Sequence, residues 1–124
     1  MPAQSRPVMA LSLLAMATVP YARFVALSGA PRLLPGMPGA APVATAGVKA
    51  LAVSGRAARL GEAFDGIALG TAVVEAGGAI TAGVEVASDA QGRAVAQSGT
   101  AKTAGVALEA ATAAGELIEV LLTP

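Results

Sequence analysis

Cysteine, histidine and tryptophan are absent from this chain of 124 residues, and aromatic residues are limited to one tyrosine and two phenylalanines. Without cysteine the chain forms no disulfide and offers no thiolate nucleophile. Without histidine it lacks the commonest general base and the commonest metal ligand. We therefore expect no enzyme activity, no cofactor and no metal site.

An excess of charge of either sign is also missing, because eight lysines and arginines balance eight aspartates and glutamates. No basic stripe appears that would hold a nucleic-acid backbone, so we expect no nucleic-acid partner. Residues of the hydrophobic class make up 55% of the chain, but most of them are alanine and valine. Small side chains stabilise a core only weakly, so we expect the isolated subunit to depend on partners for part of its stability.

The first 20 residues contain an uncharged apolar run from Val8 to Val19, preceded by Arg6. One interpretation is a signal peptide, which would make the protein a secreted or periplasmic β-domain that binds a ligand or a surface glycan. The run is too short to span a membrane as a helix, and we expect no membrane partner. We favour an opening strand or arm over residues 1–20, a turn at Pro20 and a second strand from Arg23 to Leu27.

Residues 28–46 are rich in proline and glycine, which interrupt helices and central strands. This composition predicts a loop. Leu33, Leu34 and Met37 are unusual in a solvated loop, so the segment either lies against another surface in an assembly or folds back onto its own domain.

From Gly47 onward, short apolar runs alternate with glycines, a texture typical of an all-β sandwich or barrel of short antiparallel strands. The recurring glycines leave room for at most one short helix. Alternation places Val84 and Val86 on one face of a strand. In a closing strand over 116–122 it places Ile118, Val120 and Leu122 on one face and Glu119 on the other.

Ser88 to Val95, SDAQGRAV, contain the clearest turn signal in the chain. The Asp89 side chain is suited to accept hydrogen bonds from nearby backbone amides, and Gly92 to take the left-handed conformation. We expect a hairpin here, with Asp89 and Arg93 paired across its turn.

A weak internal echo suggests that one strand-turn-strand unit is used twice, as in a barrel with similar halves. In it, Gly47-Val48 precedes Gly61-Glu62 and Gly105-Val106 precedes Gly115-Glu116. Chance in a chain rich in glycine, alanine and valine is the competing explanation.

The acidic residues form two spaced pairs, Glu62 with Asp65 and Glu116 with Glu119. Residues three apart on a strand point to opposite faces, so neither pair would present two carboxylates to one substrate. We expect these side chains to be solvated.

The segments GTAVVEAGGAITAGVEVASDAQGRAV (70–95) and GVALEAATAAGELIEVLLTP (105–124) together resemble the capsid cement, or head-decoration, proteins of tailed phages and prophages. The opening PVMALSLLAMATVPYARFVALSG is similar to the first two strands of that family, whereas the proline-rich loop departs from its pattern. The resemblance implies a single small β domain over residues 1–124.

The resemblance further implies a virion protein on the exterior of the capsid, assembled in the cytoplasm of a bacterial host, which stabilises the phage head by bridging major capsid proteins. It implies self-association into dimers or trimers. We place the candidate contacts with the capsid or a neighbouring subunit on large apolar side chains near the N-terminus: Leu11, Leu13, Leu14, Tyr21, Phe24, Leu33, Leu34 and Met37.

Overall fold

Eight strands and no helix make up the regular structure of the part that the computed structural model describes, residues 5–15, 17–26 and 44–123. The all-β prediction is confirmed. The strands are β1 (Arg6–Leu14), β2 (Phe24–Val25), β3 (Ala52–Ser54), β4 (Ala63–Glu75), β5 (Glu85–Ser88), β6 (Ala94–Ala96), β7 (Gly105–Ala107) and β8 (Leu117–Leu122).

All eight strands join one antiparallel sheet in the order β2-β3-β4-β8-β7-β5-β6, with β1 added alongside β4. Ala94, at the start of β6, also forms a parallel bridge with Ala76, directly after β4. This bridge brings the last strand of the order back to a central one, so the sheet nearly closes into a small barrel. Closure of this kind shields strand edges that would otherwise be open to other chains.

The central element is β4, which has 13 residues and pairs with three other strands. Along one edge, β1 pairs with β4 from Ala63 to Thr71. Along the other edge, β3 pairs with Gly66 and Ile67, and β8 pairs from Thr71 to Glu75. Two glycines allow these close contacts. A Cβ on Gly66 would lie 2.5 Å from Cδ1 of Leu13, and a Cβ on Gly70 would meet the carbonyl oxygen of Arg6 and lie 2.7 Å from the amide nitrogen of Val8.

Buried side chains form two clusters, and both are built mainly from alanine and valine. The larger cluster fills the barrel around Phe24, Val74 and Ile118. The smaller one lies beneath β1 and includes Leu13 and Phe64. The second half of the N-terminal stretch is therefore part of the core of the subunit.

The turn predicted at Pro20 is present, because Tyr21 and Ala22 form a turn and β2 begins at Phe24. Ala22 has a φ of 63°, which is unusual for a residue with a side chain. The strand predicted to end at Leu27 ends at Val25, and Leu27 itself lies outside the described residues.

A bridge, a turn and a strand follow one another four times in the described part of the chain. Two bridges pair Val19 with Ala58 and Ile80 with Ala111. Each bridging residue precedes a turn with one positive φ, and a strand starts shortly after it: β2, β4, β5 and β8. The residues with positive φ are Ala22 (63°), Gly61 (86°), Gly83 (92°) and Gly115 (96°).

Strand registers show that these units form two tandem repeats. Phe24 in β2 pairs with Val53 in β3, and Glu85 in β5 pairs with Val106 in β7 in the same way. We define repeat 1 as β1, β2, β3 and the first half of β4, and repeat 2 as the second half of β4 with β5, β7 and β8. The strand β4 is thus the last strand of one repeat and the first strand of the next.

Of the two equivalences in the sequence echo, one matches the structural repeat and one does not. Gly61 and Gly115 occupy equivalent turns before β4 and β8. Gly47 and Gly105 are not equivalent, because Gly47 lies in a turn and Gly105 lies within β7.

The hairpin segment from Ser88 to Val95 joins β5 to β6, and Ser88 pairs with Ala94. Oδ1 of Asp89 accepts hydrogen bonds from the amides of Gln91 (2.9 Å) and Arg93 (2.8 Å). Its Oδ2 lies 2.9 Å from Nε of Arg93. Gly92 has a φ of 76°, so the turn uses the left-handed conformation.

Most of the predicted loop over 28–46, including Leu33, Leu34 and Met37, lies outside the described residues. In sequence it falls between β2 and β3. The equivalent strands of repeat 2, β5 and β7, are joined by the segment that contains the hairpin. The two repeats therefore differ in what is inserted at one common position.

We expect Gly92→Val to destabilise the protein by about 1–2 kcal/mol, because a β-branched residue disfavours the positive φ of this turn. Urea unfolding followed by circular dichroism measures the change. Gly78→Val is the matched control, since a side chain there enters open space and its φ is not positive. Equal stability of the two variants would contradict the turn described here.

We expect Gly70→Ala to lower the free energy of unfolding by about 1–3 kcal/mol more than Gly83→Ala does, because overpacking adds to backbone strain only at Gly70. Both glycines have positive φ, 99° and 92°, but a Cβ on Gly83 meets nothing within 4 Å. Thermal unfolding gives the stabilities, and hydrogen exchange should show faster exchange of the β1 amides in Gly70→Ala alone. Unchanged exchange in β1 would show that Gly70 does not seat this strand.

Candidate functional site

Several acidic side chains in the described residues accept hydrogen bonds from nearby groups of the fold. No group of three or more histidine, cysteine, aspartate or glutamate side chains is placed to hold a metal ion in residues 5–15, 17–26 and 44–123. Glu62 accepts a hydrogen bond from the amide of Arg59 at 2.7 Å, whereas Asp65 is exposed on β4. In the first acidic pair, Glu62 therefore stabilises a turn, while Asp65 lies on the exposed surface of a strand.

Glu119 departs from the prediction that it is solvated, because it is only 8% exposed. The Thr71 hydroxyl on β4 donates a hydrogen bond to it at 2.5 Å, and Nε of Arg6 on β1 lies 3.6 Å from the same carboxylate oxygen. Since β4 runs between β1 and β8, these contacts tie three neighbouring strands together. The alternation that turns Glu119 away from the barrel core is correct, but neighbouring strands cover its outward face.

Glu116 closes the turn before β8. Its carboxylate accepts hydrogen bonds from the Thr112 hydroxyl, the Thr112 amide (3.1 Å) and the Ala113 amide (3.0 Å). The Thr112 hydroxyl is the main reason why the pKa of Glu116 is lowered, with the two amides adding to the effect. Glu116 is an exposed carboxylate that holds a turn, as Glu62 does in repeat 1.

Arg23 connects the N-terminal turn to the hairpin. Its Nη2 lies 3.1 Å from Oε1 of Glu75 at the end of β4, and its Nη1 donates to the carbonyl oxygen of Gln91 at 3.1 Å. The side chain is largely buried, with an exposed fraction of 18%. We assign it a structural role, since both partners, the Glu75 carboxylate and the Gln91 carbonyl, belong to the fold.

The apolar residues predicted as contacts fall into three groups. Leu13, Leu14 and Phe24 are buried in the core of their own subunit. A fully buried side chain does not reach a neighbouring subunit, so these three are removed from the candidate surface. Leu11 is half-buried and Tyr21 is 45% exposed, which leaves both available for contact. The remaining three, Leu33, Leu34 and Met37, lie outside the described residues.

An apolar groove of about 620 Å³ lies beside β1 and was not predicted from the sequence. It is lined by Met9, Leu11, Ala26, Val48, Lys49, Ala50, Leu51, Ala68 and Leu69. These residues come from β1, β4 and the segments next to β2 and β3. Only the strand registers bring them together, so no local sequence pattern marks the groove.

The outer edge of β1, opposite β4, has no partner strand within the described residues. Val8 is 78% exposed and Met9 is 42% exposed on this strand. No charged residue occurs from Pro7 to Ala22. Exposed edges of soluble proteins are normally protected by charges, prolines or bulges, and here only the start of β1 has such features: Arg6, Pro7 and register shifts on both sides of Met9. The edge and the groove together form a mainly apolar surface suited to another polypeptide, with Lys49 as the one charged residue that lines the groove.

The described residues include no helix with the length and apolar character that a bilayer crossing requires.

Comparison with solved structures finds the same fold in a phage protein. The N base of the head fiber gp8.5 of bacteriophage phi29 superposes with a TM-score of 0.74, at 20% sequence identity and with 93% of each chain covered. No curated protein matches the sequence.

The family model described as phage cement protein matches residues 4–122. The match runs through all eight strands, from β1 to β8. It agrees with the resemblance seen in the sequence and with the structural likeness to a head fiber base. The chain belongs to the phage cement protein family and is a structural protein of the phage head.

Proposed function

We propose that this protein binds the outer surface of the phage capsid and stabilises the head by bridging neighbouring major capsid proteins. The observation that supports this proposal most directly is the family match over residues 4–122, which covers the whole of the described sheet. The virion would be assembled in the cytoplasm of the bacterial host, and this protein would lie on the exterior of its capsid. It would act as an oligomer, a dimer or a trimer.

The mechanism would be burial of surface at many equivalent sites. When one subunit contacts two capsid proteins, these two can separate only if the contacts of that subunit are broken. The free energy of those contacts is therefore added to the free energy of separation. Each interface can be small, because repetition over a shell and linkage within an oligomer increase the overall strength of attachment. A subunit with as many positive as negative side chains also avoids strong mutual repulsion where copies are crowded.

The composition of the core makes such attachment useful to the subunit as well. Its two clusters contain many alanines and valines and few large side chains. The transfer free energy per buried residue is therefore small. Any partner that binds only the folded state would raise the free energy of unfolding of the subunit.

Tyr21 is the residue that we propose for direct contact with the capsid. It lies in the turn before β2 and is the only tyrosine of the chain. Tyrosine is enriched at the centres of protein interfaces because it combines a large apolar area with a polar group. Its 45% exposure leaves much of the ring available to a partner.

We expect Tyr21→Ser to weaken binding to capsid shells by about tenfold or more, as truncation of an aromatic contact at an interface does. Cosedimentation with shells of the cognate major capsid protein measures the dissociation constant. Leu108→Ser is the control, because Leu108 is an equally exposed large side chain, at 46%, that lies directly after β7.

The thermal midpoint of the free subunit should change little in Tyr21→Ser. Equal weakening by the two substitutions would count against Tyr21 as a contact. Failure of the unmodified protein to cosediment with shells at all would count against capsid binding itself.

A further inference from the structure

The two repeats differ in how the outer edge of their first strand is covered. In repeat 2 the first strand is the second half of β4, and β1 lies along its edge. Thr71 pairs with Arg6, Gly70 pairs with Pro7, and the amide of Val73 donates to Oγ of Ser5 at 3.0 Å. The edge of repeat 2 is therefore covered by a strand of the same chain.

Backbone hydrogen bonds identify the equivalent edge in repeat 1. Ala15 exchanges hydrogen bonds with the turn before β4, through the carbonyl of Glu62 and the amide of Gly61. Ala76 does the same with the turn before β8, through Glu116 and Gly115. Ala15 and Ala76 are thus equivalent. Counting back six residues from each alanine makes Met9 the equivalent of Gly70, so the outer edge of β1 corresponds to the covered edge of β4.

The two edges carry different side chains. A Cβ at Gly70 would meet the backbone of β1, so repeat 2 has a glycine where a strand crosses closely. Repeat 1 has Met9 at that position, exposed at 42%, next to Val8 at 78%. In repeat 1 the same edge thus presents large apolar side chains and has no strand of the described residues along it.

We propose that the outer edge of β1, together with the apolar groove beside it, binds a strand of a second copy of this chain. The internal repeat supports a strand as the occupant, because a strand covers the equivalent edge in repeat 2. An open edge binds a strand through backbone hydrogen bonds, and a neighbouring groove accepts alternate side chains. Eight of the nine residues that line the groove are apolar, so the occupant must present apolar side chains.

The charge pattern agrees with an uncharged partner strand. Lys49 is the one charged residue that lines the groove, and its Nζ donates to the carbonyl oxygens of Thr103 (3.0 Å) and Thr123 (2.9 Å). It is therefore held by repeat 2. The stretch from Pro7 to Ala22 has no charge, so two copies of this chain would meet along the part of β1 that follows Arg6 without repulsion between like charges.

The choice of a second copy rests on the proposed function in one respect. On a capsid shell many identical subunits are held close together, so another copy has the highest effective concentration of any strand donor. The inference adds to that function by naming the surface through which copies contact one another. It is separate from Tyr21, which we assign to the capsid.

The test compares the full-length protein with the variants Val8→Lys and Leu108→Lys. Val8 is 78% exposed, so lysine there should leave the subunit folded, while it places a charge on the proposed contact. Leu108→Lys adds the same charge to an exposed leucine directly after β7. Sedimentation velocity over a concentration series gives the dissociation constant of self-association, and circular dichroism monitors the fold.

We expect the unmodified protein and Leu108→Lys to associate, and Val8→Lys to sediment as a monomer or to associate about a hundredfold more weakly, because burying an unpaired charge among apolar side chains is costly. Hydrogen exchange should show protection of those amides between Val8 and Ser12 that point away from β4, and this protection should be lost on dilution to the monomer.

Three results would overturn the inference. Association of Val8→Lys with unchanged strength would place the contact between copies elsewhere. A monomeric unmodified protein in which the β1 amides that point away from β4 are protected would show that another part of its own chain covers the edge. A monomeric protein in which those same amides become protected only on shells would assign the edge to the capsid. In the first two cases binding to shells could still be intact, so capsid attachment and self-association are tested separately.

Discussion

The pairing of β4 with three other strands is the interaction on which the rest of the structure depends. One edge of β4 pairs with β1, which extends from its first half into its second, and the other edge pairs with β3 and then with β8. Because β4 belongs to both repeats, neither repeat has a complete sheet without it. Two glycines make this sharing possible: Gly66 admits Leu13, and Gly70 admits the backbone of β1. The same arrangement leaves the outer edge of β1 without an equivalent partner in the described part of the chain.

A core of small side chains sets the second constraint. Phe24 and Phe64 are the only aromatic residues in the buried clusters, and they lie in different ones. Each buried alanine or valine contributes less transfer free energy than a leucine or phenylalanine. Backbone pairing, turn hydrogen bonds and the Arg6, Thr71 and Glu119 contacts therefore have a larger share in holding the barrel together. A subunit of this kind would be stabilised by binding to partners, which fits the attachment to the capsid that we propose.

Features that depend on neighbouring residues were predictable from the sequence. The hairpin follows from Asp89 and Gly92, whose roles are determined within a few residues. The burial of Ile118 and Val120 on the inward face of β8 follows from the alternation of side chains along a strand. The family was recognisable because the order of several motifs adds information that each motif alone lacks, and the family match confirms it.

Features that depend on register were not predictable. Burial of Glu119 requires a hydroxyl on Thr71, which is 48 residues away, and an arginine at the start of the chain. In the sequence, nothing distinguishes Leu13 and Leu14 from residues of an exposed apolar arm. Pairing of β1 with β4 is what places them in the smaller core cluster. The groove likewise depends on which residues of β1 and β4 face each other. Only half of the repeat was visible in the sequence. The equivalent turns at Gly61 and Gly115 both have glycine at the residue with positive φ, whereas the turn equivalent to that of Gly83 has Ala22 there.

Three-dimensional reconstruction of capsids by electron cryomicroscopy, with this protein and without it, would show directly whether the protein bridges capsid subunits. We predict barrel-shaped density on the outside of the shell, located where neighbouring major capsid proteins meet and absent from shells that lack the protein. Density confined to the interior of the shell, or on a single capsid subunit with no contact to its neighbours, would contradict it.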